Sequence, residues 1–214
     1  MQCLDLIRHH RLVAILRLDD LSTAVRLSRA LLAAGVLAQE YTLTNPDALV
    51  TIAKVLQEVP EFTNGEATLG VGSVRTQEQA QAAMEAGAQF IVTPIFQPEV
   101  VACCVGRSVP VMSGAMTPTE IASAWHAGAA MVKVFPARSL GPKYISDVLA
   151  PMPEIQLMPT GGIGLENMRE YFGAGAAAVG IGSNLFEMSA LQMAQWDRIT
   201  EVAAEFAMRA KKAS

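Results

Sequence analysis

Eight short apolar runs, separated by amphipathic stretches and spread from one end of the chain to the other, narrow the possible folds more than any other feature. They are Leu12–Arg17, Ala38–Leu43, Thr68–Gly72, Phe90–Thr93, Pro110–Ser113, Met131–Phe135, Ile155–Pro159 and Ala177–Gly182. Most are rich in Val, Ile, Leu or Met, as strands covered on both faces are. The stretches between them carry helix signals. Leu21–Ala34 stops at Gly35, Thr76–Ala86 at Gly87 and Leu165–Phe172 at Gly173, and glycine suits the left-handed end of a helix. Asn45-Pro46 reads as the N-cap and first residue of another helix, and Thr117-Pro118-Thr119-Glu120 as a capping box before one that ends at Gly128. A last amphipathic segment covers about 191–211. The joint Ala-Gly recurs just before strands, at 34–35, 86–87, 127–128 and 174–175, which marks a repeated helix-to-strand unit.

Strands alternating with helices give a closed (β/α)8 TIM barrel or an open doubly wound sheet. The strand count favours the barrel. So does Leu16-Arg17-Leu18-Asp19-Asp20 after the first run, where a dinucleotide-binding sheet would place a glycine-rich loop. No linker or low-complexity tract interrupts the 214 residues, so a single domain is expected over 1–214, with one helix before the first strand and one after the last. The three cysteines, Cys3, Cys103 and Cys104, are odd in number and give no disulfide framework, as in a reduced, cytoplasmic protein. A net charge of -4 argues against nucleic acid or a membrane surface as partner. The start of the chain is not a signal peptide, and no apolar run reaches the ~18 residues of a membrane span.

Polar residues inside or at the end of buried strands carry the chemistry, because barrel enzymes place reactive groups at the C-terminal ends of strands. Lys133 lies in Met131-Val132-Lys133-Val134-Phe135. Desolvation there lowers an amine's pKa and frees it to attack a carbonyl; the bland alternative is a lysine whose stem crosses the core to solvent. Glu40, Thr42 and Thr44 share one face by alternation, and Glu40 needs a cationic partner, either Lys133 or Arg17. Such a carboxylate would shuttle protons, or form only a structural ion pair with Lys133. Thr160-Gly161-Gly162-Ile163 follows the seventh run, and Gly180-Ile181-Gly182-Ser183 ends the eighth. Glycine turns there let backbone N–H groups approach a phosphate, with the Ser183 hydroxyl beside them. His9, His10 and His126 form no metal-ligand spacing, and neither metal nor cofactor is expected. Arg8-His9-His10-Arg11 reads as a solvated basic segment, and Cys103-Cys104 as helix packing.

Taken in order, these residues resemble one family. Val13-Ala14-Ile15-Leu16-Arg17, Glu40 before Thr42-Leu43, Gly70-Val71-Gly72-Ser73-Val74 and Phe90-Ile91-Val92-Thr93-Pro94 carry the first half. Gly114-Ala115-Met116-Thr117-Pro118-Thr119-Glu120, Val132-Lys133-Val134-Phe135-Pro136, Pro159-Thr160-Gly161-Gly162-Ile163 and Gly180-Ile181-Gly182-Ser183 carry the second. The sequence is similar to the 2-keto-3-deoxy-6-phosphogluconate and 4-hydroxy-2-oxoglutarate aldolases. The resemblance implies a homotrimeric class I aldolase on a TIM barrel. It gives Lys133 as the Schiff-base lysine, Glu40 as general acid/base and Arg17 as the carboxylate ligand. Thr44, Ser73, Pro94, Phe135 and Thr160 would line the substrate pocket, and Gly161, Gly162, Gly182 and Ser183 would bind phosphate.

The substrates so implied are 2-keto-3-deoxy-6-phosphogluconate, cleaved to pyruvate and glyceraldehyde 3-phosphate, and 4-hydroxy-2-oxoglutarate, cleaved to pyruvate and glyoxylate. The 6-phosphogalactonate epimer is the alternative. Thr44 stands where some members carry an arginine, as it does in the galactonate branch, whereas Thr160 follows the gluconate type. Ser73 replaces the usual threonine, and Gln39 and Tyr41 are more polar than the usual flanks of the glutamate. Two readings from other classes share the barrel and its phosphate turns: a phosphate-sugar isomerase or epimerase, and a non-catalytic binding protein.

Overall fold

The computed structural model describes residues 2–212. Eight strands appear where the eight apolar runs place them: β1 Leu12–Leu16, β2 Ala38–Thr42, β3 Thr68–Gly72, β4 Ile91–Val92, β5 Val111–Ala115, β6 Met131–Val134, β7 Leu157–Pro159 and β8 Val179–Ile181. The helices are α1 Gln2–His10, α2 Ala24–Ala33, α3 Ala48–Glu58, α4 Gln77–Glu85, α5 Pro98–Gly106, α6 Pro118–His126, α7 Gly141–Leu149, α8 Met168–Gly173, α9 Met188–Gln192 and α10 Trp196–Lys212. The sequence reading leaves α5 and α7 unassigned.

All strand pairs are parallel and each strand neighbours the next in sequence, with β8 returning to β1. A doubly wound sheet would reverse its order part-way. The last seam, between β7 and β8, closes through a parallel bridge between Thr160 and Gly180 and a hydrogen bond from Ala177 N to Leu157 O (2.9 Å). The barrel is therefore closed beside the two glycine turns.

Two apolar bodies hold it together. The larger lies between strands and helices. The smaller fills the barrel itself: Val13, Ala38, Phe90, Val92, Met112, Met131, Met158 and Ala178, joined by Ile7 of α1. α1 thus supplies an apolar side chain to the lower end, so chemistry can occupy only the upper one.

Local details differ from the sequence reading for identifiable reasons. Asn45 and Pro46 do not begin α3, which starts at Ala48. The Asn45 side chain instead donates to Leu18 O (3.1 Å) and Asp19 O (2.8 Å) and accepts from Asp47 N, tying the first loop to the second. The final amphipathic segment is two helices, broken around Ala194 at φ 52°. Arg11 is half-buried, contrary to the expected solvated segment. It donates to Ala176 O (2.7 Å) and Ala177 O (3.2 Å), and stacks 4.2 Å from the Phe172 ring centroid. The capping box at Thr117 and Glu120 forms as read. No helix among the described residues is long and apolar enough to cross a membrane.

The polar flanks of Glu40 have a structural account. Alternation turns Gln39 and Tyr41 away from the barrel interior, toward α2. Gln39 Nε2 donates to Ser28 O and Val36 O (both 3.2 Å), and Tyr41 Oη to Ala24 O (2.9 Å). Gln39 thereby meets one carbonyl of α2 and one of the turn after it, and Tyr41 meets one carbonyl of α2.

Candidate active site

A cavity of about 210 Å³ opens at the C-terminal ends of β1, β6, β7 and β8. Its walls include Arg17, Lys133, Phe135, Thr160, Gly161, Gly162, Gly182 and Ser183, eight residues singled out from the sequence. Each is placed by the strand before it. Lys133 is the third residue of β6, pointing inward because Met131, two residues earlier, lies in the barrel core. Only 5% of its surface is exposed. Burial pushes its amine below the ordinary lysine range; Glu40 pulls it back up and Arg17 pushes it further down. Its Nζ lies 5.3 Å from the Phe135 ring centroid, on the cavity wall.

Glu40, at the centre of β2, is buried, and among the described residues neither carboxylate oxygen has a hydrogen-bond partner. Burial raises its pKa, against the pull of Lys133 and Arg17. Among the described residues no salt bridge joins Glu40 to Lys133. The two groups feel each other's charge without being locked together, so both can bond to a third party. Gly72 makes room for the carboxylate: a Cβ there would stand 2.7 Å from the Glu40 carboxyl carbon.

Glu40 is not itself among the residues lining the cavity, and neither are Thr44, Ser73 and Pro94. Thr44 lies past the end of β2, exposed, its Oγ1 2.7 Å from that of Thr42. Ser73 is half-buried, directly after Gly72. Its φ of 61° suits an unbranched hydroxyl residue better than a threonine. Pro94 packs its backbone against Gly114, the register partner of Lys133, where a Cβ would meet the Pro94 carbonyl carbon at 2.2 Å. These three residues belong to the loops after β2, β3 and β4, on the Glu40 side of the lysine.

The two glycine turns are braced from below. Asn167 accepts from Gly164 N (2.9 Å) and donates to Gly162 O (3.0 Å), and Asn184 donates to Ile163 O (3.0 Å). Gly161 and Gly162 take φ of 96° and 77°, open to glycine and strained for other residues. Among the described residues neither Gly162 nor Ser183 donates a backbone hydrogen bond within the protein, so both N–H groups are available to an anion. Arg138, on the short 3-10 turn Ala137–Ser139, also lines the cavity. Sequence reading missed it because it lies in no apolar run. The signal available was its place two residues past Pro136, on the loop after the lysine strand.

Comparison with known proteins agrees with this geometry. The family model described as "KDPG and KHG aldolase" matches residues 4–202. The chain is 41% identical over 162 residues, 75% of each protein, to the 2-dehydro-3-deoxy-phosphogluconate aldolase of Treponema pallidum. It is 35% identical over 176 residues to the 2-dehydro-3-deoxy-6-phosphogalactonate aldolase of Escherichia coli, covering 82% of this chain and 84% of that one. It superimposes with a TM-score of 0.85, at 26% identity and 94% and 96% coverage, on the KDPG aldolase of Legionella pneumophila with pyruvate captured as a covalent carbinolamine. The chain belongs to the KDPG and KHG aldolase family.

Proposed function

We propose that the chain is a class I aldolase that cleaves 2-keto-3-deoxy-6-phosphogluconate to pyruvate and glyceraldehyde 3-phosphate through a Schiff base on Lys133. The observation that carries this reading is a desolvated lysine on the wall of a cavity, beside a buried carboxylate with no hydrogen-bond partner among the described residues. Burial that lowers the lysine's pKa makes its amine readier to lose its proton and act as a nucleophile, and burial that raises the carboxyl's pKa makes it a readier proton carrier.

The Lys133 amine adds to the C2 ketone, giving a carbinolamine. Glu40 donates a proton to the departing hydroxyl, which leaves as water, and the iminium remains. Glu40, now a carboxylate, removes the C4 hydroxyl proton. The C3–C4 bond breaks, its electron pair moving into the iminium to form an enamine. Glyceraldehyde 3-phosphate departs, Glu40 returns the proton to C3, and water hydrolyses the iminium to pyruvate and free Lys133. The cationic nitrogen is the electron sink throughout. Arg17 meets the substrate carboxylate and the glycine turns with Ser183 meet the phosphate, while Phe135 and Thr160 wall the centre. Thr44, Ser73 and Pro94 contribute from the strand 2–4 side. The same steps cleave 4-hydroxy-2-oxoglutarate to pyruvate and glyoxylate.

A second reading, the 6-phosphogalactonate epimer, draws support from the galactonate-type relative and from Thr44, which leaves carboxylate binding to Arg17. We place the protein in the cytoplasm, consistent with three free cysteines, and as a homotrimer. Exposed Ile95 and Met116, on the adjacent loops after β4 and β5, are the kind of apolar surface a subunit contact would cover.

Pyruvate with borohydride should add a stable mass to the wild type. Lys133→Ala should acquire none and lose turnover by about four orders of magnitude or more. Labelling of Lys133→Ala would move the imine elsewhere, and a wild type that forms no adduct and releases no pyruvate would favour the isomerase or epimerase reading. Pyruvate release from the gluconate, galactonate and hydroxyglutarate substrates, measured side by side, decides among them.

A further inference from the structure

The ionisable residues lining the cavity are Arg17, Lys133 and Arg138, all basic, in a chain whose net charge is -4. Arg17 and Lys133 have roles in the reaction proposed above; Arg138 has none. Its backbone is fixed to the phosphate turn: Arg138 N donates to Gly161 O (2.9 Å), and the preceding Ala137 N to Thr160 O (2.8 Å). Its side chain then crosses the open face of Gly162. A Cβ on Gly162 would stand 2.5 Å from Arg138 Cβ and 3.4 Å from its Nε. The glycine at 162 therefore does two things. It permits the φ of 77°, and it clears the path along which the guanidinium reaches the cavity rim.

Among the described residues Arg138 makes no ion pair, and its side chain makes no hydrogen bond. The neighbouring N–H groups of Gly162 and Ser183 are likewise uncommitted. A planar five-donor cation beside free backbone amides is matched to a phosphate oxygen set, and its charge-assisted bonds are stronger than those of the amides alone.

We propose that Arg138 binds the substrate's phosphate directly and sets this enzyme's preference for phosphorylated over short 2-keto acids. The inference rests on the aldolase reading above and adds a specificity determinant to it. The guanidinium adds charge-assisted bonds to those of the amides and the hydroxyl. With the guanidinium added, the far end of the substrate supplies binding that a short substrate cannot.

The test compares wild type, Arg138→Ala and Arg138→Lys on 2-keto-3-deoxy-6-phosphogluconate, with pyruvate as the probe lacking a phosphate. In Arg138→Ala, KM for the phosphorylated substrate should rise roughly 10- to 100-fold and kcat stay within about threefold. The pyruvate concentration that half-saturates borohydride trapping should stay within about twofold, because pyruvate never reaches the rim. Arg138→Lys should recover part of the loss, and the wild-type KM should climb more steeply with salt than that of the alanine variant. An unchanged KM in Arg138→Ala overturns the inference, as does a parallel loss of pyruvate affinity, which would mark a general distortion. Wild type that traps pyruvate but does not cleave the phosphorylated substrate sinks the inference while leaving the Schiff base standing. Wild type that traps nothing sinks the aldolase reading itself.

Discussion

Two levels of the barrel interior, two residues apart on six of the eight strands, follow opposite rules. The lower level holds Val13, Ala38, Met112, Met131, Met158 and Ala178. One step up the same strands, on the same face, stand Ile15, Glu40, Gly114, Lys133, Thr160 and Gly180. Below, side chains fill the space and methionines adapt to its irregular gaps. Above, glycines clear it. A Cβ at 180 would sit 2.4 Å from the Thr160 hydroxyl, and one at 114 would enter the backbone of Pro94. A single pleat of about 6.6 Å separates a level built for packing from one built for chemistry. The lower level is what makes Lys133 costly to charge, since it removes water from beneath the amine.

If that division is right, substitutions in the upper level should cost activity and those in the lower level stability. Glu40→Gln keeps the volume and removes the proton carrier. It should lower kcat by about 10²–10⁴-fold, the usual worth of a general acid/base, while urea denaturation shows a fold at least as stable as wild type. Pyruvate trapping should persist at a reduced rate. A loss of kcat below tenfold would make Glu40 a spectator. Met131→Ala is the converse. It leaves a cavity beneath Lys133 and should cost about 2–5 kcal/mol of stability by urea denaturation. Its kcat in native buffer should stay within about threefold of wild type, since the amine keeps its place on β6. A large kcat loss with unchanged stability would show that the two levels are not separable.

The sequence made the lower level and half of the upper one legible, for different reasons. Apolar runs show where strands are because burial on both faces leaves them no polar positions. Lys133 and Glu40 stand out against that background as charges that burial would otherwise reject. Arg138 has no such background: in Pro136-Ala137-Arg138-Ser139 an arginine looks like any exposed loop residue, and only the tertiary path over Gly162 gives it a target. Asn45 failed in the opposite direction. Its local pattern with Pro46 is a good helix start, but bonds to Leu18 O and Asp19 O hold it in a turn. Strand ends were also overrun. Ile155 and Ala178 are buried like strand residues yet lie outside the ladders of β7 and β8. Burial writes itself into composition, whereas hydrogen-bond partners distant in sequence do not.

The smallest expected effect probes the cost of placing an amine above the apolar level. Burial holds Lys133 below the ordinary lysine value of 10.5, so the folded chain releases its proton at lower pH than the unfolded chain does. Between those two values the unfolded state binds more protons, and stability rises with pH. Lys133→Met keeps the length of the side chain and removes this titration. Made in a Glu40→Gln background, so that the buried carboxyl adds no proton of its own, it should stabilise the fold at pH 7 by the amount usual for one favourable substitution, about 0.5–2 kcal/mol. The advantage should shrink as pH climbs and level off above 10.5, where the lysine is neutral in both states. Urea denaturation of both proteins across that range measures the gap. A gap that stays constant or widens with pH would mean that the amine is well solvated in the folded chain, and the contrast between the two levels would lose its physical basis.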